Sequence, residues 1–167
     1  ARQIGERSMA RKTFFSFHFE RDVWRAGQVR NSWVTKEREA AGFWDSAKWE
    51  EVQKKGEDAI CRWIDAQLHG TSVTVVLIGA ETSTRKYVGY EITESHRRGN
   101  GLLGVYIHNM KDVNSRTDSK GANPFDNWNF KDSLGQPIKY PTYDWVNDDG
   151  RKNMGNWIEA AAKRAGR

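Results

Sequence analysis

The chain has 167 residues, 37% of them hydrophobic and 29% charged, with eight Trp, seven Phe and five Tyr. That length suits one domain with a substantial core, and no apolar run approaches the roughly 20 residues that a membrane span needs. The formal charge of +5 suits an anionic small molecule or weak nucleic-acid binding, but it is spread along the chain without a dense cluster and reads first as a solvated surface with extra lysines.

Residues 1–11 are polar and aperiodic and read as a mobile tail, leaving a single domain over 12–167. Lys12–Phe17 (Lys-Thr-Phe-Phe-Ser-Phe) reads as an aromatic first strand. Val23, Gly27, Arg30 and Val34, with Trp24 and Trp33, suggest a helix, weakened by Gly27. A short second strand is expected around Gly42–Trp44. Asp45 or Ser46 then caps a helix in which Trp49, Val52, Ile60, Trp63, Ile64 and Leu68 keep a 3.6-residue period until Gly70. Cys61 lies in that stretch as a small core hydrophobe. As a lone cysteine it excludes an internal disulfide framework and suits a reducing compartment. No apolar segment follows the N-terminus to direct export, so the expected location is the cytoplasm.

Val73–Ile78 (Val-Thr-Val-Val-Leu-Ile) is almost continuously apolar and ends at Gly79, as a central parallel strand covered on both faces does. Thr82, Ser83 and Thr84 offer N-cap candidates. Tyr87, Val88, Glu91 and Ile92 follow at helical spacing, and Gly99-Asn100-Gly101 stops the helix. This puts the Glu91 carboxylate about two turns into a helix that starts at the carboxyl end of a central strand, where open α/β sheets bind ligands. The competing reading is a solvated glutamate paired with Arg85 or Ser95. Leu102–Ile107 is the next strand. Asn109–Pro137 lacks a clear element, which is unusual in a compact domain, and reads as an insertion that folds over the site, held by Phe125, Trp128 and Phe130. Tyr140–Val146 reads as a last strand. Met154, Trp157, Ile158, Ala161, Ala162 and Ala165 mark an amphipathic final helix. The alternation of strands and helices predicts an α/β fold of flavodoxin-like order with about five parallel strands.

Several chemistries lack support. There is no G-x-G-x-x-G and no Walker A loop. The histidines are scattered and no second cysteine helps them, so no metal site is expected. A phospho-receiver needs an acceptor aspartate where this central strand ends in Gly79. Phe17 and His18 end the first strand at the sheet edge that carries Glu91 and are candidate cleft residues, with a surface or capping role as the alternative for His18. Tyr87 lies one turn before Glu91 on the same face of the helix. Asp45 is either a cap or a site residue.

Phe14-Phe15-Ser16-Phe17-His18, Val29-Arg30-Asn31-Ser32-Trp33-Val34 and Val76 through Ile92 together resemble the TIR-like (ThsB-like) proteins of the bacterial Thoeris anti-phage system. Gly99-Asn100, Lys111-Asp112 and Ser119 through Asp126 extend the resemblance, which runs from about Arg11 to Trp145 in order. Many TIR domains carry Trp-Cys-x-x-Glu where this chain has Tyr87-Val88-Gly89-Tyr90-Glu91. The aromatic and the glutamate keep their spacing, and valine replaces cysteine. The resemblance implies a TIR fold that cleaves NAD+ at its nicotinamide–ribose bond and makes an ADP-ribose-type, often cyclic, signal that switches on a partner effector. It assigns Glu91 as the catalytic carboxylate and adds Asn31 to the substrate-binding candidates Phe17, His18, Asp45 and Tyr87. NAD+ is then substrate, with no further cofactor, and a homo-oligomer is a further implied partner. Nicotinamide leaves as a neutral group from a cationic ring, so one carboxylate suffices where ordinary glycosides need two. Closure of the insertion over the site would favour an adenine nitrogen over water as the nucleophile. Two rivals share the architecture: a non-catalytic TIR-like interaction module, and a nucleoside deoxyribosyltransferase-like N-glycosidase.

Overall fold

The computed structural model describes residues 11–34, 40–43 and 46–167, without the side chains of residues 46 and 47. In chain order these form β1 (Thr13–Ser16), α1 (Phe19–Val34), β2 (Ala40–Ala41), α2 (Ser46–Lys54), α3 (Glu57–Leu68), β3 (Val73–Ile78), a 3-10 turn (Thr82–Thr84) and α4 (Lys86–Arg97). There follow β4 (Gly101–Tyr106), a second 3-10 turn (Pro124–Asn127), β5 (Thr142–Asp144) and α5 (Gly150–Arg164). The five strands are all parallel in the order β2-β1-β3-β4-β5. This is the flavodoxin-like order that the sequence predicts, and its switch point lies between β1 and β3.

Every residue of β3 is buried, which is why its sequence does not alternate. Phe15, Val73, Val75, Leu103 and Val105 face a core closed by Ala26, Val29 and Trp33 of α1 and by Met154, Ile158, Ala161 and Ala162 of α5. On the other face, Phe14 packs with Val52, Ile60, Ile64 and Leu68, and Val76, Ile78 and Leu102 with Val88 and Ile92. Ser16 shares the Phe14 face, two residues on, so its hydroxyl points toward the layer made by α2, α3 and α4.

Four local readings change. The buried stripe of α1 is Asp22, Arg25, Ala26, Val29, Ser32 and Trp33, whereas Val23 and Trp24 are 43% and 52% exposed. Polar groups on the inner face hide that stripe from a hydrophobic pattern. The single helix expected before Gly70 is two helices broken at Gly56, whose φ of 93° favours glycine. The second strand is Ala40–Ala41, ahead of Gly42, while Trp44 of the expected strand lies outside the described residues. Thr82, Ser83 and Thr84 form their own turn instead of capping α4: the Gly79 amide donates to Thr82 Oγ1 at 2.7 Å, and Arg85 takes the N-cap without a side-chain bond. Residues 1–10 lie outside the described residues, and Arg11 is tied down by Glu159 at 2.8 Å.

Candidate active site

A cleft opens at the carboxyl edge of the sheet between β1, α2, α3 and α4. Its lining includes Phe17, His18, Phe19 and Glu20 after β1, Trp49 and Gln53 of α2, Ile60 and Ile64 of α3, and Arg85, Lys86, Tyr87, Val88 and Glu91. Glu91 is the floor. It is 5% exposed, and Ser16 Oγ donates to its Oε1 at 2.5 Å. Burial pushes its carboxyl up to about 8, against the opposing pull of the Ser16 hydroxyl. The solvated reading, paired with Arg85 or Ser95, is thus not what the fold builds. The α4 helix is held from the side by Tyr90, whose hydroxyl donates to Asp65 of α3 at 2.8 Å.

The walls are aromatic. Phe17 lies 6.5 Å from Phe19, and Phe19 lies 5.5 Å from Trp49, ring centre to ring centre. Tyr87 contributes from the first turn of α4 and is part-buried against the core cluster of α3. His18, 8% exposed, stands with its ring nitrogens 3.8 Å from Glu20 and 3.9 Å from Glu81. Burial and then the Arg85 guanidinium lower its pKa, so it is neutral near pH 7 and free to give or accept one hydrogen bond. At the mouth, Lys86 pairs with Glu57 at 2.7 Å.

Phe17, His18, Tyr87 and Glu91 therefore meet in one cleft. Asn31 does not join them: it is exposed on α1 and is not part of this lining, because the stripe of α1 that turns inward passes through Ser32 and Trp33. Asp45 lies outside the described residues. Phe19, Trp49 and Arg85 of the lining were not foreseen as site residues, nor was Ser16, which lies buried beneath Glu91 and touches the cleft only through its hydrogen bond. Ser16 is one of two hydroxyl residues in β1, with Thr13, and nothing in the local pattern singles it out.

The insertion does not cover this cleft, since none of the described residues of 109–137 lines it. Phe125 instead enters the core beside Val76, Ile78, Val88, Ile92 and Leu102. Trp128 approaches Gly89 on the opposite flank of α4, 3.5 Å from where a Cβ would stand. At its start the insertion is clamped by Arg25, which donates to the carbonyls of Met110 and Arg116 at 2.8 Å each, and by Arg21, 3.0 Å from Asp118. Cys61 is part-buried, and burial raises its thiol pKa, the opposite of an activated nucleophile. Among the described residues no group of three or more His, Cys, Asp or Glu is placed to hold a metal ion, and no helix is long and apolar enough to cross a membrane.

The family description of the Thoeris protein ThsB, TIR-like domain, matches residues 14–112, more than half of the chain and all of the elements that build the cleft floor. The chain belongs to this family. A relative from Bacillus cereus (strain MSX-D12), named "Putative cyclic ADP-D-ribose synthase ThsB1", is 35% identical over an alignment that covers 90% of this chain and 100% of the relative.

Proposed function

We propose that this chain cleaves the nicotinamide–ribose bond of NAD+ in the Glu91 cleft and releases an ADP-ribose-type product, in cyclic form, as a signal in anti-phage defence. The observation that carries this reading is Glu91: a buried carboxyl at the carboxyl edge of a parallel sheet, oriented by Ser16 and approached through an aromatic-walled cleft. The relative's printed name supports the cyclic product.

The chemistry follows from the burial. Before substrate binds, Glu91 holds its proton near neutral pH. A cationic nicotinamide ring entering the cleft favours the ionised form, so binding expels the proton and pairs opposite charges in a site with little water. Heterolysis then sends the bonding electron pair to the pyridine nitrogen, which leaves neutral. The positive charge moves to the anomeric carbon, and the Glu91 carboxylate stabilises it or holds the ribose hydroxyls. Attack by an adenine nitrogen gives the cyclic product, and attack by water gives ADP-ribose. Phe17 and Tyr87 offer faces for the ring, and neutral His18 offers one hydrogen bond at the rim. NAD+ is substrate here, with no other cofactor invoked. Effector proteins are reached through the released nucleotide in the cytoplasm, and copies of the chain assemble.

Chromatography of NAD+ incubated with concentrated protein, wild type beside Glu91→Gln, tests this. Nicotinamide from wild type alone is the expected result, with Glu91→Gln lower by at least about 100-fold. Equal release by both overturns the role of Glu91. Release by neither favours an interaction module over an enzyme.

A further inference from the structure

The cleft is small for the molecule assigned to it. Its volume is about 160 Å³, below the roughly 300–1,000 Å³ of pockets that enclose a drug-sized ligand. Nicotinamide and its ribose fill it when the anomeric carbon is brought to Glu91. The pyrophosphate and adenosine then lie at the mouth and beyond, where the side chains they meet decide how the rest of the molecule runs.

The charges at that mouth are not equivalent. Lys86 is engaged by Glu57 at 2.7 Å. Glu20 is 53% exposed and repels a phosphate. His18 carries no positive charge near neutral pH. Arg85 lines the cleft, is exposed and makes no ion pair among the described residues. Its position as the N-cap of α4 puts its Cα six residues before Glu91, about 9 Å along the helix at 1.5 Å per residue. A ribose-5′-phosphate arm crosses such a span, so a ribose held at Glu91 delivers its phosphates to the guanidinium. Guanidinium also suits phosphate geometrically, through paired N–H donors.

Resting on the reading of this cleft as an NAD+ site, we propose that Arg85 is a specificity-determining residue that grips the pyrophosphate at the mouth and bends the dinucleotide there. The bend has a chemical consequence. A cyclic product requires the adenine to return to the anomeric carbon after nicotinamide has left, and an extended dinucleotide cannot do this. Arg85 thus acts on which dinucleotide is accepted and on which nucleophile wins, while bond cleavage stays with Glu91.

Steady-state cleavage of NAD+ and of nicotinamide riboside, which has no phosphate, tests the assignment in wild type, Arg85→Ala and Arg85→Lys. Arg85→Ala is expected to raise KM for NAD+ roughly tenfold to a hundredfold, as loss of a charge-assisted hydrogen bond does, and to move the product from cyclic toward linear. Cleavage of nicotinamide riboside is expected to change far less than that of NAD+, and Arg85→Lys to fall between. Equal effects on both substrates, or none on either, overturn the proposal. Titration of NAD+ into Glu91→Gln protein, with and without Arg85→Ala, runs beside the kinetics. If wild type releases no nicotinamide, the enzymatic reading fails on its own, and a tenfold weaker NAD+ affinity without Arg85 still supports the grip. No binding by either protein, or equal binding, overturns it.

Discussion

Two acids are buried at the carboxyl edge of this sheet, on opposite faces of it. Glu91 has a hydrogen bond from Ser16 and opens into a cleft. Asp22 of α1 is 1% exposed, and neither of its oxygens accepts a hydrogen bond among the described residues. Its closest cation is Arg25, with Nη1 at 3.7 Å from Oδ1, and the backbone of Gly79 closes the other side. Burial raises both carboxyls, Asp22 to about 6 and Glu91 to about 8. A perturbed carboxyl is a common sign of a working site, yet only one of these has a way in. Access and an orienting donor separate them. Asp22 instead sits under Arg25, the side chain that clamps the start of the insertion.

The largest expected effect closes the Asp22 side further. A Cβ at Gly79 would collide with the Asp22 carboxylate, so Gly79→Ala should cost about 3 kcal/mol in urea unfolding, as overpacking of a tight interior does. A loss under about 1 kcal/mol would mean that Asp22 has room to move and that the contrast with Glu91 is overstated.

Next comes the pH dependence of stability. A carboxyl whose folded pKa is raised stabilises the fold below its unfolded pKa and loses that contribution as pH climbs through the folded value. For Glu91 the window runs from about 4.5 to about 8. Glu91→Gln should therefore match wild type near pH 4 and exceed it by about 2 kcal/mol or more near pH 8, read as a higher melting temperature. A gain that does not grow with pH would show that burial of the charge is not the cause.

Ser16→Ala sharpens the same point through activity. The Ser16 hydroxyl holds the Glu91 pKa down, so its loss should move the ascending limb of kcat/KM to higher pH and lower the rate at pH 7 by about tenfold, near one hydrogen bond to a charge. A limb that stays in place would remove Ser16 from the site. The smallest change is expected from Asp22→Asn. Its window is about 3.8 to 6, and losing a partner of Arg25 offsets part of the gain, leaving a net change within about 1 kcal/mol at pH 7. A pH–rate profile displaced by this variant would place Asp22 in the chemistry.

What the sequence discloses follows the same division between local and distant causes. β3 and β4 are legible because strands covered on both faces are apolar throughout, and Glu91 is legible because a strand, a turn and a helix follow one another without interruption. The inner face of α1 is not, because Asp22, Arg25 and Ser32 take core positions and a hydrophobic pattern assigns them outward. The break at Gly56 left a readable trace in the long apolar gap between Val52 and Ile60. Ser16 meets Glu91 across 75 residues of chain, and the insertion sets its aromatics against the far flank of α4. Spacing along the chain carries no record of either contact.

Among the described residues the sheet ends on both sides in its shortest strands, two residues in β2 and three in β5. Short edges are one way that proteins deter edge-to-edge association. Val-Thr-Val-Val-Leu-Ile of β3, with its uncharged, proline-free and β-branched composition, is the kind of segment that stacks into fibrils when displayed. It lies between β1 and β4, paired on both sides. Turbidity on heating should accordingly begin with global unfolding, and solubility in storage is a property of how firmly the fold holds together.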